Sequence, residues 1–97
     1  MPTLVLLEVK AKADAVETLR TLMAAAFPDT RAFAGCQGIT AYVSQDDPHT
    51  FVFVEQWASR DAYERYLAWR TETGLLGQLM GLLDGPPSIR FFARVDA

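Results

Sequence analysis

Tyr42, Phe53, Trp57, Tyr63, Tyr66 and Trp69 are the residues whose types and spacing could do chemistry in this sequence. Aromatic rings supply apolar walls, while a phenol O–H or an indole N–H supplies an isolated polar tip. Apolar walls with a few convergent donors are how a small-molecule pocket is built. The same rings could simply fill a core, and their spacing leaves both readings open. Glu55, two residues before Trp57, is equally double: a general base if it turns inward, or a hydrogen-bonded structural carboxylate.

Other constellations are missing. No GxGxxG or GxxxxGK[ST] phosphate loop occurs, and one His with one Cys gives no metal-ligand spacing. Cys36 and His49 could pair as nucleophile and base only if brought together. They fall at opposite ends of one expected strand and its turn, about 30 Å apart when extended. Cys36 reads as a small strand residue and His49 as a solvated turn residue.

The elements that must position the aromatic group follow from periodicity. Leu4–Val9 is a strand with apolar residues on both faces. Asp14, with Glu17 three residues on, sets up a helix start. Val16, Leu19, Leu22, Met23, Ala26 and Phe27 make that helix's buried stripe, and Pro28 is expected to end it. Cys36–Ser44 and Thr50–Ala58 are strands joined by the turn residues Gln45–His49, hence an antiparallel hairpin. Ser59 is an N-cap, with Asp61 and Glu64 in the first turns and Gly74 at the close. Its inner face would carry Ala62, Tyr63, Tyr66, Leu67 and Trp69. A short apolar helix, Leu75–Leu83, stops at Asp84-Gly85-Pro86-Pro87, and Ser88–Asp96 is the last strand. With Gly74, Gly77, Gly81 and Gly85 around it, that helix reads either as a lid over a pocket or as a closely packed cover on the sheet.

The order βαββαβ is the ferredoxin-like pattern, an α+β fold with a four-stranded antiparallel sheet and helices on one face. Residues 1–97 fit one such domain. A sheet covered on one side should show a polar second face. Here Phe51, Phe53, Glu55 and Trp57 share one face of the third strand, yet Val52 and Val54 make the other apolar as well. A second copy of the chain covering that face, as a homodimer, is the economical expectation.

Composition narrows the class further. Hydrophobic residues make up 51%. Counted with Gly in place of Tyr, the share exceeds the roughly 45–50% of ordinary domains. Charged residues are 22% and the net charge is −3, which argues against disorder and against a basic nucleic-acid surface. No run approaches the roughly 20 apolar residues of a membrane span, and the first residues do not read as a signal peptide. With a single cysteine, a reducing, cytoplasmic setting is expected.

The stretch Phe53-Val54-Glu55-Gln56-Trp57-Ala58-Ser59-Arg60-Asp61-Ala62-Tyr63 resembles the E-x-W-x-S-x-x-A signature of the antibiotic biosynthesis monooxygenase family. Gly35-Cys36, a strand ending at Ser44, an acidic turn and Gly85-Pro86-Pro87 fit the same pattern, so the resemblance spans nearly the whole chain. It implies a ferredoxin-like dimer whose sheets meet in an α+β barrel. The nearest likeness is to small oxygenases of aromatic polyketide biosynthesis, which oxidise anthrone- or quinol-like substrates with O2 and no cofactor. Carried over residue by residue, it implies catalytic roles for Trp57 and Tyr63, with Tyr42 at the position of a strand His. Phe53, Glu55, Tyr66 and Trp69 would bind substrate. Where the family pattern has Asn, this chain has Phe53, and it contains no Asn at all. A haem-degrading role needs that Asn and a His on the third helical segment, which Leu75–Leu83 lacks. A non-catalytic binding module and a non-oxidative isomerase or cyclase are the alternatives on the same scaffold.

Overall fold

A computed structural model describes the whole chain, Met1–Ala97. Its elements are β1 Thr3–Lys10, α1 Val16–Ala32, β2 Cys36–Val43, β3 Thr50–Trp57, α2 Arg60–Glu72, α3 Leu75–Gly81 and β4 Ser88–Phe92. The strands form one antiparallel sheet in the order β2-β3-β1-β4. This is the ferredoxin-like α+β fold expected from the element order.

Register decides which residues meet the helices. Val5, Leu7 and Val9 of β1 stand opposite Glu55, Phe53 and Phe51 of β3, and all six are buried. Two clusters form on this face. Leu7, Val9, Leu19, Ile39, Phe51 and Phe53 make one, and Val5, Trp57, Ala62, Tyr63 and Tyr66 make the other. The opposite face carries Leu4, Leu6, Val52 and Val54, half-buried, with Tyr42 and Phe92 exposed on the flanking strands. It is the two-sided apolar patterning of β1 and β3, now in register.

Local signals held at most boundaries. Ser59 Oγ accepts the Ala62 N–H at 3.1 Å and caps α2, and Gly74 at φ +83° turns the chain into α3. Asp47 fixes the β2–β3 turn: its carboxylate accepts the His49 N–H and the Thr50 hydroxyl. These bonds hold its pKa below the usual carboxylate value. Cys36 pairs with Trp57 at one end of the hairpin while His49 sits in the turn at the other, so the two do not meet.

Three expectations need correction. Asp14 does not cap α1; Ala15 occupies the N-cap without a side-chain bond. Pro28 does not end α1, which runs on to Ala32. Pro28 is exposed, and the turn beyond it is tied down from the inner side. Thr30 Oγ1 and Arg70 Nη2 both donate to the Ala26 carbonyl, at 3.2 and 2.8 Å. The last strand stops at Phe92, opposite Leu4, because pairing runs out where β1 begins.

Gly35 closes the α1–β2 corner against α2. Its φ is +93°, and a Cβ placed there would lie 2.6 Å from the Ala62 Cβ. Ala62 is buried in a helix and cannot withdraw. Gly35→Ala is therefore expected to destabilise the fold by about 2 kcal/mol or more, from left-handed strain plus overlap. Chemical denaturation of both proteins checks it.

Candidate functional site

Between the sheet and the helices lies a cavity of about 60 Å3 with a mainly hydrophobic lining. That is room for about two waters at the liquid volume of about 30 Å3 each, and a ring would need the walls to move apart. β3 supplies Phe53 and Glu55, α1 supplies Phe27 and Thr30, and α2 supplies Tyr63, Tyr66 and Arg70. Leu75, Leu76 and Leu79 of α3 close one side. None of the α3 residues is fully buried, and a Cβ at Gly77 or Gly81 would meet nothing within 4 Å. Close packing therefore does not explain those glycines.

Glu55 is the one carboxyl that lines the cavity. Strand alternation places it on the helix-facing side between Phe53 and Trp57, where it is 2% exposed. Its only hydrogen bond comes from Trp57 Nε1–H, at 3.1 Å, and i,i+2 spacing on one strand face makes that contact possible. Burial pushes its pKa up from 4.5 to about 7, with the Trp57 bond opposing the rise. A carboxyl that titrates near neutrality inside an apolar cavity can take and return a proton at working pH.

Tyr63 supplies a donor beside it. Its hydroxyl is buried with no hydrogen-bond partner, a costly arrangement in an apolar site. Burial, aided by the nearby Glu55 charge, drives its pKa far above the ordinary phenol value, so it stays protonated. An O–H held without an acceptor is free to donate to a developing oxyanion.

Not every expected site residue converges here. Phe53, Glu55, Tyr63 and Tyr66 line the cavity. Trp57 stands behind it, fully buried, its ring 5.0 Å from that of Tyr66 and 5.6 Å from that of Tyr63. Its N–H is donated to Glu55, and it is not part of the cavity lining. Trp69 also lies outside, stacked on Phe33 at 5.3 Å with the Arg70 guanidinium over its ring. The expectation that Tyr42 joins the pocket is not met. β2 turns Ile39 and Ala41 toward the helices, so Tyr42 points to the open face and is 56% exposed.

Two residues escaped the sequence reading. Arg70 is 7% exposed and Thr30 is fully buried. Arg70 Nε donates to the Tyr66 hydroxyl at 2.9 Å, Nη2 donates to Thr30 Oγ1 at 3.0 Å, and Thr30 Oγ1 lies 2.7 Å from the Tyr66 hydroxyl. Arg70 follows Tyr63 and Tyr66 by seven and four residues, which marks it as inward-facing on α2. Thr30 continues the Met23–Phe27 stripe past Pro28. No three His, Cys, Asp or Glu side chains converge anywhere, and no helix is long and apolar enough to cross a membrane.

The chain is a small ferredoxin-like α+β domain with a buried carboxyl, an unpartnered phenol and an apolar cavity between its sheet and helices. The sequence profile of the antibiotic biosynthesis monooxygenase family matches residues 2–71, and the chain belongs to that family. Among solved structures it is similar to Rv0793 from Mycobacterium tuberculosis, with 28% identity over 100% of this chain and 98% of that one, TM-score 0.88. PA3566 from Pseudomonas aeruginosa is 25% identical over 98% of this chain and 95% of that one, TM-score 0.80. The structure of an antibiotic biosynthesis monooxygenase with 23% identity covers 97% of this chain and 99% of its own, TM-score 0.88, a likeness of fold. No curated protein matches the chain.

Proposed function

We propose that this chain is a monooxygenase that oxidises a small aromatic or quinol substrate with O2, without a cofactor, and that it works as a homodimer. The observation that carries the reading is Glu55, a cavity-lining carboxyl with a pKa of about 7. Family membership supports the general class of reaction. Substrate, oxidant and assembly are our inference.

Glu55 as carboxylate takes a proton from the bound phenol or activated CH2. The resulting anion gives one electron to O2, and the two radicals combine at carbon. The peroxide recovers the proton and loses water as the O–O bond breaks, so CH2 and O2 become C=O and H2O. Tyr63 donates to the phenolate or peroxide oxygen, while the apolar walls keep water from competing. Even a single aromatic ring exceeds the cavity, and its entry requires displacement of the α3 leucines.

The open sheet face carries the dimer. Leu6 stands opposite Val54 on the central strands, with Leu4 and Val52 diagonal to them and Tyr42 and Phe92 at the sides; Glu8, Gln56, Thr40 and Arg90 share the face. An apolar centre with polar residues around it is the composition of an interface.

Oxygen uptake with a panel of anthrones, naphthols and hydroquinones tests the reaction. Protein-dependent uptake is expected, and its absence across the panel contradicts the reading. Trp57→Phe gives a finer check. It removes the single hydrogen bond that lowers the Glu55 pKa, so the midpoint of the pH–rate profile is expected to move above about 7. An unmoved midpoint contradicts this role of the Trp57 bond. Because a poised carboxyl also suits proton transfer alone, a product isomeric with its substrate, formed without uptake, would assign an isomerase instead.

A further inference from the structure

Arg70 is a buried cation without a counter-ion. No carboxylate lies within 4.0 Å of it; the three ion pairs of the chain join Arg20 to Glu17, His49 to Asp47 and Arg60 to Glu64. Buried charges are ordinarily paired, since an uncompensated one is costly in a low-dielectric interior. The guanidinium rests 4.5 Å over the Trp69 ring, which offsets only part of that cost.

The hydrogen bonds it makes run in one direction. Thr30 Oγ1 lies within reach of the Ala26 carbonyl, at 3.2 Å, and of the Tyr66 hydroxyl, at 2.7 Å, a contact in which either oxygen can donate. It accepts from Arg70 Nη2 at 3.0 Å. The Tyr66 hydroxyl accepts from Arg70 Nε at 2.9 Å, and Nη2 also reaches the Ala26 carbonyl at 2.8 Å. All three bonds from Arg70 are donated by the guanidinium, which fixes its plane. Of the five guanidinium N–H groups, the two on Nη1 have no protein acceptor. Arg70 lines the cavity, and it is locked in place by three bonds.

We propose that Arg70 is the anion-binding residue of the cavity, and that the molecule bound there carries an anionic oxygen, as a carboxylate or an ionised enol, on a small apolar ring. This rests on the cavity being the substrate site. The Tyr66–Thr30–Ala26 bonds are a positioning frame that holds the guanidinium and leaves Nη1 without a protein acceptor. Glu55 and Arg70 both line the cavity and form no ion pair with each other. A ring anchored by its anion at Arg70 would present its far edge to Glu55 and Tyr63.

Calorimetric titration of the full chain with benzoate, the enolate of 1,3-cyclohexanedione and neutral benzamide tests this. Benzoate or the enolate is expected to bind at least about tenfold more tightly than benzamide, and the tighter of the two identifies the source of the anion. The preference should vanish in Arg70→Gln and survive in Arg70→Lys. Equal affinity for anion and amide in the wild-type protein overturns the proposal, as does a preference retained by folded Arg70→Gln. The wild-type comparison needs no variant, so misfolding of Arg70→Gln leaves the test standing. Anion preference without any oxygen uptake would sink the oxygenase reading and leave the Arg70 site intact. Uptake with neutral substrates and no anion preference would do the reverse.

Discussion

Glu55→Gln is expected to lower substrate-dependent oxygen uptake by about 10³-fold while leaving the folded chain at least as stable as wild type at neutral pH and above. The rate effect is the usual worth of a positioned general base. Gln keeps the shape and still accepts from Trp57 Nε1–H, so the orientation of its neighbours survives. Stability moves the other way because the carboxylate is buried. Raising a carboxyl from 4.5 to about 7 means that the fold prefers it protonated. The folded chain then binds more protons than the unfolded chain between those values. Stability from this group is complete below about 4.5 and is lost as pH climbs through about 7, with about 3 kcal/mol at stake. Glu55→Gln has no such proton to lose. Its denaturation midpoint should stay flat from pH 5 to 8 where that of the wild type falls. A wild-type curve that rises over this range would show that Glu55 is ionised in the fold, against its burial.

The second large effect concerns assembly. Val54 lies at the middle of the open face, beside Leu6 on one strand and Thr40 on the other. In a symmetric dimer built on that face, Val54→Asp introduces a carboxylate in each subunit, both desolvated and close together. Dissociation of the dimer to monomer is expected, with Kd weakened by about 10²-fold or more. Light scattering at micromolar concentration should give twice the 10.8 kDa chain mass for the wild type and the single mass for the variant. A monomeric wild-type protein, or an intact Val54→Asp dimer, contradicts the assignment of the face.

Much of the fold is legible along the chain because it is set by neighbours in sequence. Ser59 can cap α2, Gly74 can turn left-handed and β3 can alternate Phe51, Phe53, Glu55 and Trp57 without reference to anything distant. Pro28 misleads because what sustains the helix beyond it is remote: Arg70 lies 44 residues from the Ala26 carbonyl it holds. The same distance hides the Tyr66–Thr30–Arg70 cluster, although Arg70 falls on the inward stripe of α2. Tyr42 belongs to the aromatic group by type and to the pocket by resemblance, but its own strand argues otherwise. Ile39 and Ala41 are the apolar positions of β2, which leaves Thr40 and Tyr42 for the opposite face. For Glu55, alternation gives the direction of the side chain. Whether it meets water depends on helices packed from elsewhere, and only that burial makes it a base near neutrality.

The most direct measurement is the pH profile of oxygen uptake by protein freed of metal and flavin, from pH 5 to 9, after subtraction of the uncatalysed rate. With Glu55 as the base, wild-type uptake should rise through a midpoint near 7 to a plateau, and Glu55→Gln should stay near background throughout. Uptake that is independent of pH, or that survives undiminished in Glu55→Gln, would contradict the role of this carboxyl and with it the proposed reaction.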